Sequence, residues 1–217
     1  MTRNMPDKAY ASSPCMAADL ADPQQALEVA RWRRAERARL IAARAALPLA
    51  ERTALAQAIA AHLDTVLGDV TGHVIAGYWP IRGEPDLRFW LYALHAKGAT
   101  LALPVVETPR CPLVFRHWEP GARLQPGHWR IPEPPADAAT LMPDIVLAPL
   151  VGWDAAGYRL GHGGGYFDRT LAARTPPPRA IGVGLQSARL STIFPQPHDI
   201  GLSAIVTEAG LQYEAKP

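Results

Sequence analysis

Helical and strand-like hydrophobic patterns alternate along most of the chain. Residues 25–47 are patterned as a helix with many arginines, and a second helix follows Pro48. In that helix Leu55, Ile59 and Leu63 recur at spacings of four, which places them on one buried stripe. Proline at a helix start is harmless because its missing N–H would have no partner there.

Short apolar runs between the helical segments predict strands. These runs cover residues 73–79, 100–104, 113–116, 145–150, 180–183 and 204–207. Asp86 is placed to cap a helix between the first two runs, and another helix is predicted over about 166–174. The alternation predicts an α/β fold, a three-layer α/β/α domain with a mostly parallel sheet. Residues 119–143, rich in proline and glycine, are predicted to be irregular.

The ends of the chain differ in pattern from the rest. Residues 1–24 are small, polar and aperiodic, so we expect a disordered N-terminal extension without the apolar core of a secretory signal. Residues 25–217 are then expected to form one domain, which the length of 217 residues allows.

Composition narrows the classes of function. Hydrophobic residues make up 48% and charged residues 19%, and the formal net charge is +2. That balance gives no overall attraction to nucleic acid or to an anionic membrane, and no apolar window is long enough to span one. The two cysteines, Cys15 and Cys111, stand apart and at no zinc-site spacing. We therefore expect a cytoplasmic protein with neither nucleic acid nor membrane as a partner.

A glycine-rich segment, Arg159–Arg169, carries the clearest candidate chemistry. Its glycines at 161, 163, 164 and 165 allow the backbone to approach a phosphate closely. Arg159 offers forked donors for phosphate oxygens, and Asp168 is a carboxylate of the kind that holds Mg²⁺ beside phosphates. The glycine spacing alone is weak evidence, because a purely structural turn explains it equally well.

The complete string Gly157–Arg169 resembles the signature of the 5-formyltetrahydrofolate cyclo-ligase family, which is close to G-x-R-L-G-x-G-x-G-[FY]-[FY]-D-R. The resemblance extends from about Arg33 to Thr207. Supporting blocks occur in family order at residues 83–86, 103–105, 131–134, 143–149, 197–199 and 205–208.

The resemblance implies a fold and an activity. Members are similar to NagB/RpiA/CoA-transferase-like proteins in fold, and they convert 5-formyltetrahydrofolate to 5,10-methenyltetrahydrofolate while consuming ATP with Mg²⁺. The expected partners are therefore reduced folate and ATP. We expect a monomer, with a weak homodimer as the alternative.

The resemblance also implies a nucleotide site. Its residues would be Arg33, Arg37, Arg159, Leu160, Gly161, His162, Gly163, Gly164, Gly165, Tyr166 and Phe167. Arg33 and Arg37 lie four residues apart, so both can face one anion from the first helix. Arg33 stands where the family has lysine, and the alternative is a solvated basic helix face.

Folate contacts, catalysis and metal binding follow from the same resemblance. The implied folate contacts are Trp79, Glu84, His162, Gly163, Gly164, Gly165 and Tyr166. Arg159, Tyr166 and Glu84 would be catalytic, while Asp168 and Asp199 would bind metal. His162 occupies a variable family position, so we expect its imidazole to be a bystander rather than a general base.

Two other functions are compatible with the sequence. A non-catalytic homologue could bind nucleotide or folate in a regulatory role, as the change at Arg33 suggests. The arginine-rich first helix could instead bind nucleic acid, although the balanced net charge argues against it.

Overall fold

A computed structural model of the chain describes residues 23–216. Residues 1–22 of the predicted extension lie outside this range, and Pro23 and Gln24 already belong to the first helix. The four α-helices of the described residues are α1 (Pro23–Ala46), α2 (Leu49–Leu67), α3 (Arg88–Ala96) and α4 (Tyr166–Ala172). Pro48 separates α1 from α2, because a residue preceding proline avoids the helical conformation.

Thirteen strands, most of them short, occur in the described residues. In chain order they are β1 (Val74–Ala76), β2 (Thr100–Val105), β3 (Val114–His117), β4 (Gln125–Pro126), β5 (Pro132–Glu133), β6 (Thr140–Leu141), β7 (Ile145–Pro149), β8 (Gly152–Asp154), β9 (Arg159–Leu160), β10 (Arg179–Val183), β11 (Arg189–Leu190), β12 (Ala204–Thr207) and β13 (Gly210–Glu214).

The main sheet has the strand order β13-β12-β10-β7-β1-β2-β3-β6. Its five central strands, β12 to β2, are all parallel to their neighbours. The strands beyond them, β13 on one side and β3 and β6 on the other, run antiparallel. The prediction of a mostly parallel sheet is thus confirmed.

Helices cover both faces of this sheet. In β7, Ile145 and Leu147 face a core that includes α2 and α3. The alternate residues Val146 and Ala148 face the opposite side, where α1 and α4 pack. A strand buried on both faces needs apolar residues at every position, as the continuous apolar run predicted.

The structure differs from the predicted elements mainly where strands are short. The predicted strand 73–79 is reduced to β1, and the segment 119–143 contains β4, β5 and β6 as well as loops. Strands of two or three residues are too short for a hydrophobic period to reveal them. The predicted cap Asp86 lies one residue further out, where its Oδ1 still accepts the Arg88 N–H at 3.1 Å.

The carboxyl ends of the central strands meet at one edge. Trp79 after β1, Pro104 in β2 and Pro149 at the end of β7 all border one cavity there. Open α/β sheets bind ligands at this edge. Within residues 23–216, every helix is too short or too polar to cross a membrane.

Candidate active site

A cavity of about 200 Å³ opens at this edge of the sheet. Nearly every predicted site residue borders it: Arg33, Arg37, Trp79, Glu84, Arg159, Gly161, His162, Gly163, Gly164, Gly165, Tyr166, Phe167, Asp168 and Asp199. Leu160 is the exception. Its side chain is 1% exposed within the core, and its carbonyl accepts the Val151 N–H at 2.9 Å.

The glycine segment follows β9 and leads directly into α4. Gly163 and Gly165 have φ angles of 97° and 63°, in the left-handed region that glycine adopts without steric cost. A β-carbon at residue 164 would lie 2.8 Å from the Tyr166 ring. The segment is therefore folded in a way that larger residues would not allow.

Arg159 and Asp168 form an ion pair across the start of α4. Arg159 NH2 lies 2.9 Å from Asp168 Oδ2, without the alignment of a regular hydrogen bond. The Ile200 N–H donates to Asp168 Oδ1 at 3.3 Å, and the Arg159 guanidinium lies over the Phe167 ring. Burial lowers the pKa of Arg159 and Asp168 opposes that shift. An arginine stays protonated even so, and its poorly solvated charge attracts anions strongly.

Arg37 reaches the glycine segment from α1. Its Nε donates to the Gly161 carbonyl at 2.7 Å. Burial, followed by the neighbouring charge of Arg33, lowers the pKa of Arg37, and Asp199 partly compensates. The cavity is thus lined with positive charge on the side formed by α1 and β9.

The Arg33 side chain is bound by Asp199 and by two backbone carbonyls of the protein. Its NH1 and NH2 contact Asp199 Oδ1 and Oδ2 at 3.2 and 2.5 Å, and Nε and NH2 donate to the carbonyls of Ile193 and Phe194 at 2.9 Å. The N–H of Gln196 donates to Asp199 Oδ2 at 2.6 Å. Arg33 and Asp199 therefore bind each other. The sequence predicted separate roles for them, in nucleotide binding and in metal binding.

Glu84 and His162 are joined at the centre of the site. His162 Nε2 lies 2.8 Å from Glu84 Oε1, and the Ile81 N–H donates to Glu84 Oε2 at 2.9 Å. Arg44 NH2 lies 3.9 Å from the same Oε1. His162, expected to be a bystander, instead contacts a predicted catalytic carboxylate.

A second set of cavity residues was not predicted from sequence. His128 Nε2 lies 3.2 Å from the Tyr166 hydroxyl, and the Trp129 ring packs edge-on against Tyr166. Burial raises the pKa of Glu133, and the nearby Glu107 charge adds to that shift. The His128 N–H and the charges of His128 and Arg116 oppose it. These residues lie in the proline- and glycine-rich segment, which has no period. Only Glu133 had a sequence signal, because residues 131–134 resemble a family block.

Comparisons with known proteins agree with this architecture. A family model described as "5-formyltetrahydrofolate cyclo-ligase family" matches residues 29–208. The chain belongs to the 5-formyltetrahydrofolate cyclo-ligase family.

Relatives of this cyclo-ligase family match most of the chain. A 5-formyltetrahydrofolate cyclo-ligase of Mycolicibacterium smegmatis is 30% identical over 79% of this chain and 91% of its own length. One from Escherichia coli K12 is 30% identical over 76% of this chain and 93% of its own. The NMR structure of Aquifex aeolicus 5,10-methenyltetrahydrofolate synthetase superposes with a TM-score of 0.72 and 26% identity, covering 85% of this chain and 94% of that one.

Magnesium ligation in this cyclo-ligase would differ between the two predicted carboxylates. Residues 23–216 contain no cluster of three or more His, Cys, Asp or Glu side chains suited to a metal ion. Mg²⁺ needs only one or two carboxylates when phosphates supply the other oxygens. Asp168 fits such a site better than Asp199. Its Oδ2 pairs with Arg159 and its Oδ1 accepts one long hydrogen bond of 3.3 Å, whereas the Asp199 oxygens accept three contacts at 2.5–3.2 Å.

Proposed function

We propose that the chain is an ATP-dependent 5-formyltetrahydrofolate cyclo-ligase that produces 5,10-methenyltetrahydrofolate, ADP and phosphate. The observation that carries the proposal is the cavity at the sheet edge. In a member of this family, it brings the glycine segment, Arg37, Arg159, Asp168 and Glu84 together.

The phosphates of ATP would lie against the glycine segment. Its backbone approaches closely because residues 161 and 163–165 lack side chains, and the guanidinium groups of Arg37 and Arg159 lie beside it. Phosphoryl transfer depends mostly on holding the groups in line and on stabilising the charge that develops on the oxygens. The buried guanidinium of Arg159 and the half-buried one of Arg37 would supply that charge stabilisation.

The reduced folate would occupy the side of the cavity with apolar and aromatic groups. Trp79, half-buried, carries the Arg88 guanidinium 4.7 Å from its ring centroid and packs edge-on against Trp118. Trp129 and Tyr166 also border the cavity. Flat aromatic rings of this kind suit a planar pterin, and their packing holds them in place.

Mg²⁺ would be held by Asp168 together with phosphate oxygens. Bound there, it would neutralise charge on the phosphates of ATP. Asp199 is better suited to holding Arg33 in place, since its oxygens are already paired.

The chemistry would proceed in two steps on the protein. Transfer of the terminal phosphoryl group to the formyl oxygen makes that oxygen a good leaving group. The folate amine that does not carry the formyl group then attacks the formyl carbon, and phosphate departs as the ring closes. The side chains described here would orient the two substrates and stabilise charge on the oxygens.

An absorbance assay tests the proposal. Purified protein supplied with 5-formyltetrahydrofolate, ATP and Mg²⁺ should accumulate 5,10-methenyltetrahydrofolate, and omitting ATP should abolish the signal. Asp168→Asn and Arg159→Ala should lower kcat/KM far more than the matched surface change Arg130→Ala. Tight ATP binding by calorimetry with no product would instead support the non-catalytic homologue.

Nucleic-acid binding has less support in the structure. Of the arginines in α1, Arg33, Arg37 and Arg44 point into the protein and contact carbonyls there. Arg39 is exposed but paired with Glu36 at 2.7 Å. The helix therefore presents less free positive charge than its sequence suggests.

A further inference from the structure

We propose that His162 and Glu84 form a proton-accepting pair, in which His162 Nδ1 removes the proton from the folate amine that closes the ring. This inference rests on the proposed function and assigns a step within it. Glu84 is then a positioning residue, and His162 is the group that meets the reacting nitrogen.

Glu84 fixes the orientation of the imidazole. Its two oxygens accept from different donors, Oε2 from the Ile81 N–H at 2.9 Å and Oε1 from His162 Nε2 at 2.8 Å. Its side chain is only 1% exposed, so the carboxylate cannot easily turn away. A carboxylate accepts hydrogen bonds, which assigns the proton to Nε2 and leaves a lone pair on Nδ1.

Nδ1 is a buried atom without a polar partner among the described residues. A buried polar atom without a hydrogen-bond partner costs about 1–3 kcal/mol of folding stability, so such atoms are rare in native proteins. His162 borders the cavity, with its side chain 12% exposed. Nδ1 has almost no accessible surface, so neighbouring side chains must move aside as the folate binds for the N–H of the ring-closing amine to reach it.

The Glu84 carboxylate also supports this role. It lies 2.8 Å from His162 Nε2 and stabilises the positive charge that the imidazole gains once the proton arrives, as in other carboxylate–histidine pairs.

The step balances in atoms and electrons. The lone pair of the secondary amine forms the new C–N bond to the formyl carbon, whose oxygen carries the phosphoryl group. The amine proton passes to His162 Nδ1. The C–O bond then breaks, and its electron pair leaves on phosphate, which gives the cationic methenyl product. The imidazolium returns its proton to solvent before the next turnover.

His162→Gln tests the role of Nδ1 without removing the link to Glu84. A glutamine amide can donate to the carboxylate but cannot take up a proton. We expect kcat to fall by about 10²-fold, the usual contribution of a positioned base, with the folate KM changed less than about threefold. His73→Gln is the matched control, because His73 is exposed before the amino end of β1 and should leave both constants unchanged.

Two further variants separate catalysis from positioning. The rate of His162→Gly should rise with added imidazole, which a merely structural histidine would not show. Adding Glu84→Gln to His162→Gln should lower kcat little below that of the single His162→Gln variant, because the two residues act as a unit.

The outcomes distinguish this inference from the proposed function. An active wild type whose His162→Gln variant keeps at least half of kcat would overturn the inference alone, and so would an inactive His162→Gly variant that imidazole does not restore. A wild type that makes no methenyl product would overturn the proposed function, and this inference with it.

Discussion

Arg33 and Asp199 face each other as a two-contact ion pair, with N–O distances of 3.2 and 2.5 Å and both side chains 8% exposed. The pair joins α1 to the segment that follows β11, and Arg33 also donates to carbonyls of that segment. It borders the same cavity as the glycine segment. The position of α1 over the site therefore depends on this contact.

Breaking the pair should destabilise the fold strongly. Arg33→Ala or Asp199→Ala leaves one buried charge without its partner, which typically costs about 3–5 kcal/mol in free energy of unfolding. Urea denaturation measures the loss. Arg39→Ala, in the exposed pair with Glu36, is the control and should cost less than about 1 kcal/mol.

Replacing both partners should cost less than replacing one. In Arg33→Met with Asp199→Leu no charge is left buried, so stability should recover substantially relative to either single alanine variant. If each single variant loses less than about 1 kcal/mol, the pair does not hold α1 in place.

Protonation of Asp199 should lower the free energy of unfolding at acidic pH. Burial alone would raise the pKa of this carboxyl, but hydrogen bonds from Arg33 and the Gln196 N–H, with nearby positive charge, hold the pKa below the ordinary 3.8. A depressed pKa contributes stability above the ordinary value, and that stability is lost as pH falls through the folded-state pKa. The difference in unfolding free energy between wild type and Asp199→Asn should therefore be constant from about pH 7 to 5 and shrink below about pH 4. A difference that grows on acidification would contradict this assignment.

Arg130→Gly should stabilise the protein. Arg130 is exposed with a φ of 61°, and an L-residue in this conformation is strained by about 1–2 kcal/mol. Glycine removes the strain but loses more chain entropy on folding, so the expected net gain is about 0.5–1 kcal/mol in urea denaturation. Arg123→Gly, at an exposed position without positive φ, should lose stability instead.

Gly164→Ala should impair catalysis more than folding. The added β-carbon would lie 2.8 Å from the Tyr166 ring and 3.3 Å from the Trp129 ring, so the segment must move. Moving reacting groups by about 1 Å can lower kcat/KM by about 10²-fold, which is the loss we expect here. Gly201→Ala is the control, because a β-carbon there meets no atom within 4 Å. Equal activity of the two variants would show that the segment does not bind the reacting groups.

The sequence predicted the sheet and most of the cavity, but not how its residues pair. The parallel core could be predicted because β7 is apolar at every position and glycine loops follow strands. The contact between His162 and Glu84 spans 78 residues, and that between Arg33 and Asp199 spans 166. Such pairs form only when the strand ends converge, which one sequence does not reveal. The residues around Trp129 were missed because their segment has no hydrophobic period.

The ratio of ADP to methenyl product tests whether the protein couples ATP cleavage to ring closure. In one sample containing the protein, 5-formyltetrahydrofolate, ATP and Mg²⁺, the methenyl product is followed by absorbance and ADP is assayed at the end. We expect one ADP for each 5,10-methenyltetrahydrofolate formed, with neither appearing when the folate is omitted. ADP without methenyl product, or no reaction at all, would contradict this expectation.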